Sequence, residues 1–140
     1  MTDVEKILLT SSLTILVGVT VFVCGQIVVK FFIEPVHELR KLIGEIAFSL
    51  NFYANQIYGN YSKTEEAKEV YRKQACQLRG IVHLIIGYEF ISGGLYALPP
   101  KKDLERASSL LIGLSNECGQ KPAGNDRSSE IRKLLRVESI

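Results

Sequence analysis

The most apolar part of the chain is near its N-terminus, where residues 7–29 carry no charged side chain. As a helix, these 23 residues would span about 35 Å at ~1.5 Å per residue, slightly more than the roughly 30 Å hydrocarbon core of a bilayer. A segment in lipid must satisfy its own backbone hydrogen bonds, which only a helix or a closed barrel achieves. The pattern therefore predicts a transmembrane helix.

The residues before this run favour a retained anchor over a cleaved signal peptide. A signal peptide has a basic start, an apolar stretch of about 7–15 residues and a small-residue cleavage site. Here Asp3 and Glu5 offset Lys6, and the apolar run is too long. We therefore expect residues 1–33 to remain as the membrane anchor.

The next segment has the clearest helical periodicity in the chain. Its apolar residues recur at alternating spacings of three and four, at Val36, Leu39, Ile43, Ile46, Leu50, Tyr53 and Ile57. This apolar seam predicts a helix of about 25 residues. Two interpretations stay open, an oligomeric coiled coil and a helix that packs into its own bundle. The seam is short and broad for a coiled coil, which favours the second.

Further helices are predicted towards the C-terminus. Ser62 and Glu65 have the spacing of a capping box that opens one helix. Another follows a pair of prolines and runs from about Lys101 to Cys118. The predicted fold class is all-α, with an N-terminal transmembrane helix followed by a small cytoplasmic helical bundle.

Residues 81–98 are apolar enough to be considered as a second membrane span. They include His83 and Glu89, and a charged group at mid-bilayer costs about 2.5–3.5 kcal/mol on insertion scales. Two glycines near the end also weaken the segment as a helix. We predict that it forms the buried centre of the cytoplasmic domain, and a re-entrant or membrane-surface placement is the alternative.

The pattern divides the chain into an anchor at 1–33, a cytoplasmic helical domain at 34–119, and a linker with a short basic amphipathic tail at 120–140. Within the last of these, Gln120 to Ser129 is predicted as a polar linker, and Ser129 to Val137 is predicted as a short amphipathic helix. The apolar residues of the tail are Ile131, Leu134 and Leu135, and the basic ones are Arg127, Arg132, Lys133 and Arg136. Such a tail suits an anionic lipid surface. A frayed terminus without a role fits the sequence equally well.

The basic residues near the span predict its orientation. Lys6 is the basic residue on the N-terminal side, whereas Lys30, Arg40 and Lys41 follow the span closely. Cytoplasmic flanks of membrane helices carry the excess of Lys and Arg. We therefore expect a periplasmic N-terminus and cytoplasmic residues 30–140.

Composition argues against several classes of function. Residues 30–140 carry 16 Lys and Arg against 13 Asp and Glu, a net charge of +3 that is too mild to predict nucleic-acid binding. Three scattered cysteines suggest a reducing compartment and no disulfide framework. The two histidines and these thiols lack metal-site spacing, and no catalytic motif is present. We expect no enzyme activity, no cofactor and no metal.

Polar residues that interrupt the apolar helices are the candidate site. They are Glu45, Asn51, Asn55, Arg79, His83, Ser115 and Asn116. Buried polar groups need partners, so we predict one network that fixes how the helices dock. The alternative is a pocket lined by Glu45, Asn55, Arg79 and Asn116. No ligand signature accompanies these residues, which favours the structural interpretation.

Small residues in the span form a second candidate surface. Ser11, Thr14, Gly18 and Gly25 share one face of the predicted helix. Small side chains let membrane helices approach each other closely. The face is consistent with a homo-oligomer, although accidental placement fits it as well.

Four runs of the sequence support a family resemblance. They are residues 25–35, 43–47, 52–55 and 111–116, which read GQIVVKFFIEP, IGEIA, FYAN and LIGLSN. Together they resemble a family of small, uncharacterised bacterial inner-membrane proteins, over about residues 20–118. The resemblance implies one N-terminal span with a helical cytoplasmic domain, and it does not point to any particular activity.

Two functions from different classes follow from these observations. One is a membrane-anchored interaction or scaffolding module that docks a protein partner at the bacterial inner membrane. The other is an oligomeric membrane-perturbing effector of the toxin or phage-defence type. A small-molecule sensor that uses the polar network is a third hypothesis, with less support from the sequence.

Overall fold

A computed structural model of the chain describes residues 2–54, 64–85, 87–89, 92, 98–118 and 124–137. Over these ranges the protein is helical and contains no strand, which confirms the all-α prediction. The helices are α1 (Asp3–Val28), α2 (Glu34–Phe52), α3 (Thr64–Leu84), α4 (Lys101–Glu117) and α5 (Gly124–Leu134), and a π-helical turn, Val29–Ile33, lies between α1 and α2.

The chain divides into two compact units, Met1–Glu34 and Pro35–Ile140. In the first unit, α1 begins where the Thr2 N–H donates to the Glu5 carboxylate at 3.0 Å. All of its side chains are exposed, and it is long and apolar enough to cross a membrane. The prediction of a helix through this apolar segment is confirmed.

The apolar seam of α2 is buried in the core of the second unit. Val36, Leu39, Ile46, Leu50 and Tyr53 are buried, whereas Ile43 is partly buried. The last seam position, Ile57, lies outside the described residues. The seam therefore packs inside its own chain, as the intramolecular interpretation predicted.

Helices α3, α4 and α5 complete the core around this seam. Their fully buried side chains include Tyr71, Leu78, Leu104, Leu111, Leu114 and Ile131. Helix α4 packs against both α3 and α5. It begins at Lys101, as the sequence predicted. A proline lacks a backbone N–H and disfavours the helical conformation of the residue before it, so a helix does not extend back through the two preceding prolines.

The described part of segment 81–98 does not form one continuous helix. Helix α3 ends at Leu84, and Gly87 has a φ of +68°, in the left-handed region that favours glycine. Ile85, Tyr88 and Leu98 are buried in the core. His83, Leu84 and Glu89 are exposed, so the prediction of a buried segment holds for only part of the described residues.

Tyr88 is held by a short hydrogen bond within this segment. Its hydroxyl donates to the Pro99 carbonyl at 2.5 Å. Burial outweighs the nearby charge of Arg136 and raises the pKa of Tyr88 to about 12 from 10.0. The folded protein keeps this phenol neutral at a pH where the unfolded chain would ionise it. The resulting contribution to the free energy of unfolding is therefore complete below pH 10.0 and is lost as the pH rises through about 12.

The C-terminal helix differs from the prediction of a linker and a separate tail at 120–140. Helix α5 already begins at Gly124, and its Ile131 is fully buried against the rest of the second unit. Ion pairs also join it to α4, Arg127 to Glu117 at 2.7 Å and Arg106 to Glu130 at 2.6 Å. Its apolar face is thus covered by protein, so the described residues 124–137 belong to the helical domain.

Two cysteines of the second unit should react very differently in the folded protein. Cys76 is exposed, whereas Cys118 is buried and its burial raises the pKa of the Cys118 thiol. Because thiolate is the reactive form, a water-soluble maleimide should modify Cys118 at least about tenfold more slowly than Cys76. Mass spectrometry of timed reactions measures both rates, and equal rates before unfolding would contradict the buried position of Cys118.

Candidate functional site

The polar residues predicted as one network lie in separate places. Glu45, Asn51, Arg79, His83 and Asn116 are exposed, and Ser115 is buried. Asn55 lies outside the described residues. The structure therefore does not gather these residues into one buried network, because most of them face solvent rather than the core.

Three of the predicted residues nevertheless dock one helix on another. The Arg72 guanidinium of α3 donates to Ser115 Oγ at 3.4 Å and to Asn116 Oδ1 at 2.9 Å on α4. Arg132 Nη2 of α5 donates to Asn51 Oδ1 of α2 at 2.6 Å. A structural role is the better interpretation of these three, since each accepts from a neighbouring helix.

A buried polar contact between α2 and α3 was not predicted from the sequence. Gln74 Nε2 donates to Ser49 Oγ at 2.7 Å and to the Glu45 carbonyl at 3.2 Å. The Tyr71 hydroxyl donates to the Ser49 carbonyl at 3.2 Å. Gln74 lies in a polar stretch of the sequence. Its spacing from Tyr71 and Leu78 nevertheless places it on the same face of a helix as these two residues, and this spacing indicates that it faces the core.

Gly113 of α4 lies beside the side chain of Arg127 from α5. A side chain there would overlap the guanidinium of Arg127, which lies against the helix at this point. The same guanidinium forms the 2.7 Å ion pair with Glu117. A larger residue at this position would displace the end of the Arg127 side chain and disturb its ion pair.

Two predicted residues, Arg79 and His83, line an open cleft between α3 and α4. This α3–α4 cleft has a volume of about 600 Å³, and its lining comprises Arg79, His83, Lys102, Glu105, Arg106 and Ser109. The α4 residues were not selected from the sequence. The sequence does place them on one side of a helix: Lys102 and Arg106 are four residues apart, and so are Glu105 and Ser109.

An exposed pair of aromatic rings lies on α2. Phe48 and Phe52 are 66 % and 55 % exposed, and their stacked rings have centroids 5.6 Å apart. Phe52 meets Tyr53 edge-on at 4.9 Å, and Tyr53 meets the buried Tyr71 at 6.2 Å. This α2 aromatic pair is thus connected to the core by a chain of ring contacts.

The predicted small-residue face is open in the isolated chain. Ser11, Thr14, Gly18 and Gly25 are all exposed on α1. A side-chain carbon added at Gly18 or Gly25 would meet no atom within 4 Å. The face is therefore available to a neighbouring helix.

The chain contains no metal-ligand cluster within its described residues. There, no group of three or more His, Cys, Asp or Glu side chains is placed to hold a metal ion.

A second cleft, between α4 and α5, has a volume of about 750 Å³, and charges of both signs line it. Arg106 and Glu130 of that cleft neutralise each other across 2.6 Å.

Comparison with known proteins gives no relative: no protein-family model, curated protein or solved structure matches this chain.

Proposed function

We propose that the protein is a membrane-anchored helical interaction module of the bacterial inner membrane. The observation that carries the proposal is the surface of α1, a helix of 26 residues with no buried side chain. So large an apolar surface requires cover by lipid or by another protein. A small bundle formed by the second unit would then be held at the membrane to dock a partner.

The polar groups of α1 are compatible with lipid. The hydroxyls of Thr10, Ser12, Thr14 and Thr20 each donate to the carbonyl four residues earlier, at 2.8 Å. Groups satisfied within the helix do not need water. This pattern supports α1 as the membrane span.

The charge asymmetry around α1 supports a cytoplasmic second unit. Lys6 precedes the apolar run, and Lys30, Arg40 and Lys41 follow it. The excess of basic residues marks the cytoplasmic side of a span. The protein would thus present residues 30–140 to the cytoplasm.

The α2 aromatic pair is the surface best suited to a protein partner. Aromatic side chains dominate the binding energy of many interfaces, especially when they are preorganised. Phe48 and Phe52 are stacked on each other and connected to the core through Tyr53. We expect the partner to be a cytoplasmic protein whose apolar pocket covers these two rings.

The alternative is an oligomeric membrane-perturbing effector. The open face of Ser11, Thr14, Gly18 and Gly25 favours self-association of the anchor, which such an effector requires. Insertion of residues 81–98 is disfavoured, since α3 ends at Leu84 and Ile85 is buried. The interaction module is therefore the better-supported proposal.

The native cysteines test the membrane topology. In intact spheroplasts, a membrane-impermeant maleimide should leave Cys76 unmodified, and permeabilisation should expose it. Cys24, exposed on α1, should stay unmodified until detergent removes the lipid. Thr2→Cys is the matched control and should be labelled in intact spheroplasts. Labelling of Cys76 without permeabilisation would contradict the proposed orientation.

A photo-crosslinker tests the partner surface. Benzoylphenylalanine at Phe48 should capture one defined protein, whereas the same probe at the exposed Lys73 should not. Phe52→Ala should reduce capture by about tenfold or more, since a hot-spot aromatic contributes about 2 kcal/mol or more. The captured protein should also co-purify with the unmodified chain.

The membrane potential separates the two proposals. An interaction module should leave the potential intact on strong expression, and Gly18→Leu should then affect only self-association. Depolarisation that Gly18→Leu abolishes, together with crosslinks only between copies of this chain, would favour the effector instead.

A further inference from the structure

The α3–α4 cleft carries an excess of positive charge. Arg79, Lys102 and Arg106 oppose the single carboxylate of Glu105, which gives the lining a net charge of +2 with His83 neutral. The cleft lies wholly within the second unit, between two helices that pack against each other. Its properties therefore do not depend on the proposed membrane function.

The cations of this cleft are not neutralised equally. Arg106 pairs with Glu130 at 2.6 Å. In the part of the chain that the structure describes, neither Arg79 nor Lys102 forms an ion pair. Among the same described residues, the hydrogen bond of Arg79 is a long one, 3.4 Å to Ser109 Oγ. Two cationic groups and a hydroxyl thus line the open space between the helices.

Lys102 lies at the end of α4 where the helix dipole slightly disfavours a cation. It lies next to Lys101 in the first turn of α4, where the helix dipole favours acidic side chains. Asp103 is the acidic residue of that turn. An anion in the cleft would offset the repulsion between the lysine charge and the helix dipole.

We propose that the α3–α4 cleft binds a phosphate ester whose substituent carries hydroxyl or amine groups. The planar guanidinium of Arg79 and the ammonium of Lys102 complement phosphate oxygens. The Ser109 hydroxyl donates to the Glu105 carbonyl at 3.1 Å and accepts from Arg79, so it positions the guanidinium. Glu105 would repel phosphate but accepts hydrogen bonds from a neighbouring hydroxyl or amine. The volume of about 600 Å³ leaves room for the group that carries the phosphate.

Two sources share this chemistry, a soluble sugar or glycerol phosphate and the headgroup of an anionic phospholipid. The acetylation rate of Lys102 by a water-soluble reagent, followed by tandem mass spectrometry, reports occupancy from either source. One arm uses the full chain in uncharged detergent with added glycerol phosphate. The other compares nanodiscs of phosphatidylcholine with nanodiscs that also contain phosphatidylglycerol. Lys73, exposed on α3, is the internal reference.

Binding of the soluble ligand should protect Lys102 and spare Lys73. At a glycerol phosphate concentration ten times the Kd, acetylation of Lys102 should slow by about tenfold, because about a tenth of the sites remain free. Arg79→Gln should raise that Kd by about tenfold or more. Lys73→Gln, which removes the same charge from the same helix, should leave the Kd unchanged. Both positions are exposed, so neither change should unfold the chain.

The two arms identify the source of the phosphate. Protection by glycerol phosphate alone supports a soluble ligand, and protection by phosphatidylglycerol nanodiscs alone supports a lipid headgroup. The proposal is overturned if neither protects Lys102 or if Lys73 is protected equally. An Arg79→Gln variant that binds as tightly as the unmodified protein would also overturn it.

Discussion

Ile46→Asp should abolish cooperative folding of the second unit. Ile46 is fully buried at the middle of the α2 seam. An unpaired carboxylate there, with the loss of the apolar side chain, should cost about 4–5 kcal/mol or more. That is close to the lower end of the stability of a typical domain, about 5–15 kcal/mol, which is where a small helical unit is expected. Urea unfolding followed by tyrosine fluorescence measures the loss, and accelerated maleimide labelling of Cys118 reports the opened core.

Lys41→Asp is the matched control for Ile46→Asp. It introduces the same residue on the same helix, at a side chain that is 73 % exposed. Its 4.0 Å approach to Glu45 is a weak surface contact, so the change should cost less than about 1 kcal/mol. Equal urea midpoints for the two variants would show that the α2 seam is not buried.

Ile131→Ala should destabilise the second unit by about 2–4 kcal/mol. The side chain is fully buried although it belongs to the C-terminal helix. Its truncation removes apolar burial and leaves a cavity beside α4, and both effects lower the free energy of unfolding. Urea denaturation of the full chain in detergent measures the change, provided that the dependence on urea concentration keeps its slope.

Lys133→Ala serves as the control for Ile131→Ala. Lys133 is exposed on the same helix, so its truncation should change the free energy of unfolding by less than about 0.5 kcal/mol. A free tail that lies on lipid would give the opposite pattern. In that case Ile131→Ala would be neutral in detergent, and α5 would contribute nothing to the core.

Helix type and helix faces could be predicted because they depend on local spacing. The charge-free run of residues 7–29 indicated α1, and the three-four repeat at Leu39, Ile43 and Ile46 indicated both α2 and its buried side. The paired prolines set the start of α4. Each signal lies within a few residues along the chain, which is the range over which helical periodicity operates.

The candidate surfaces could be predicted only in part. The sequence indicates Arg79 and His83, because polar residues one helical turn apart at the edge of an apolar segment are visible in it. Lys102 and Arg106 were not connected with them, since about twenty residues of intervening chain separate the two pairs. The aromatic pair at Phe48 and Phe52 was likewise not identified, because an aromatic residue on a helix is usually assigned to the core.

The C-terminal helix shows most clearly that contacts between residues distant in the chain could not be predicted from the sequence. Its basic residues suggested a surface tail, and its polar flank suggested a linker. Burial of Ile131 depends instead on the faces that α2, α3 and α4 leave uncovered. The ion pairs Arg127–Glu117 and Arg106–Glu130 join residues that no local rule associates.

By itself, the sequence determined an all-α protein with a long apolar N-terminal helix and an amphipathic α2. These properties follow from hydrophobic periodicity and backbone preferences, which act between near neighbours in the chain. Only the tertiary structure decided that α5 joins the core, that Asn51 and Asn116 accept from different helices, and that the α3–α4 cleft gathers its cations. The packing order and relative direction of the helices set those contacts, and both depend on burial summed over the whole second unit.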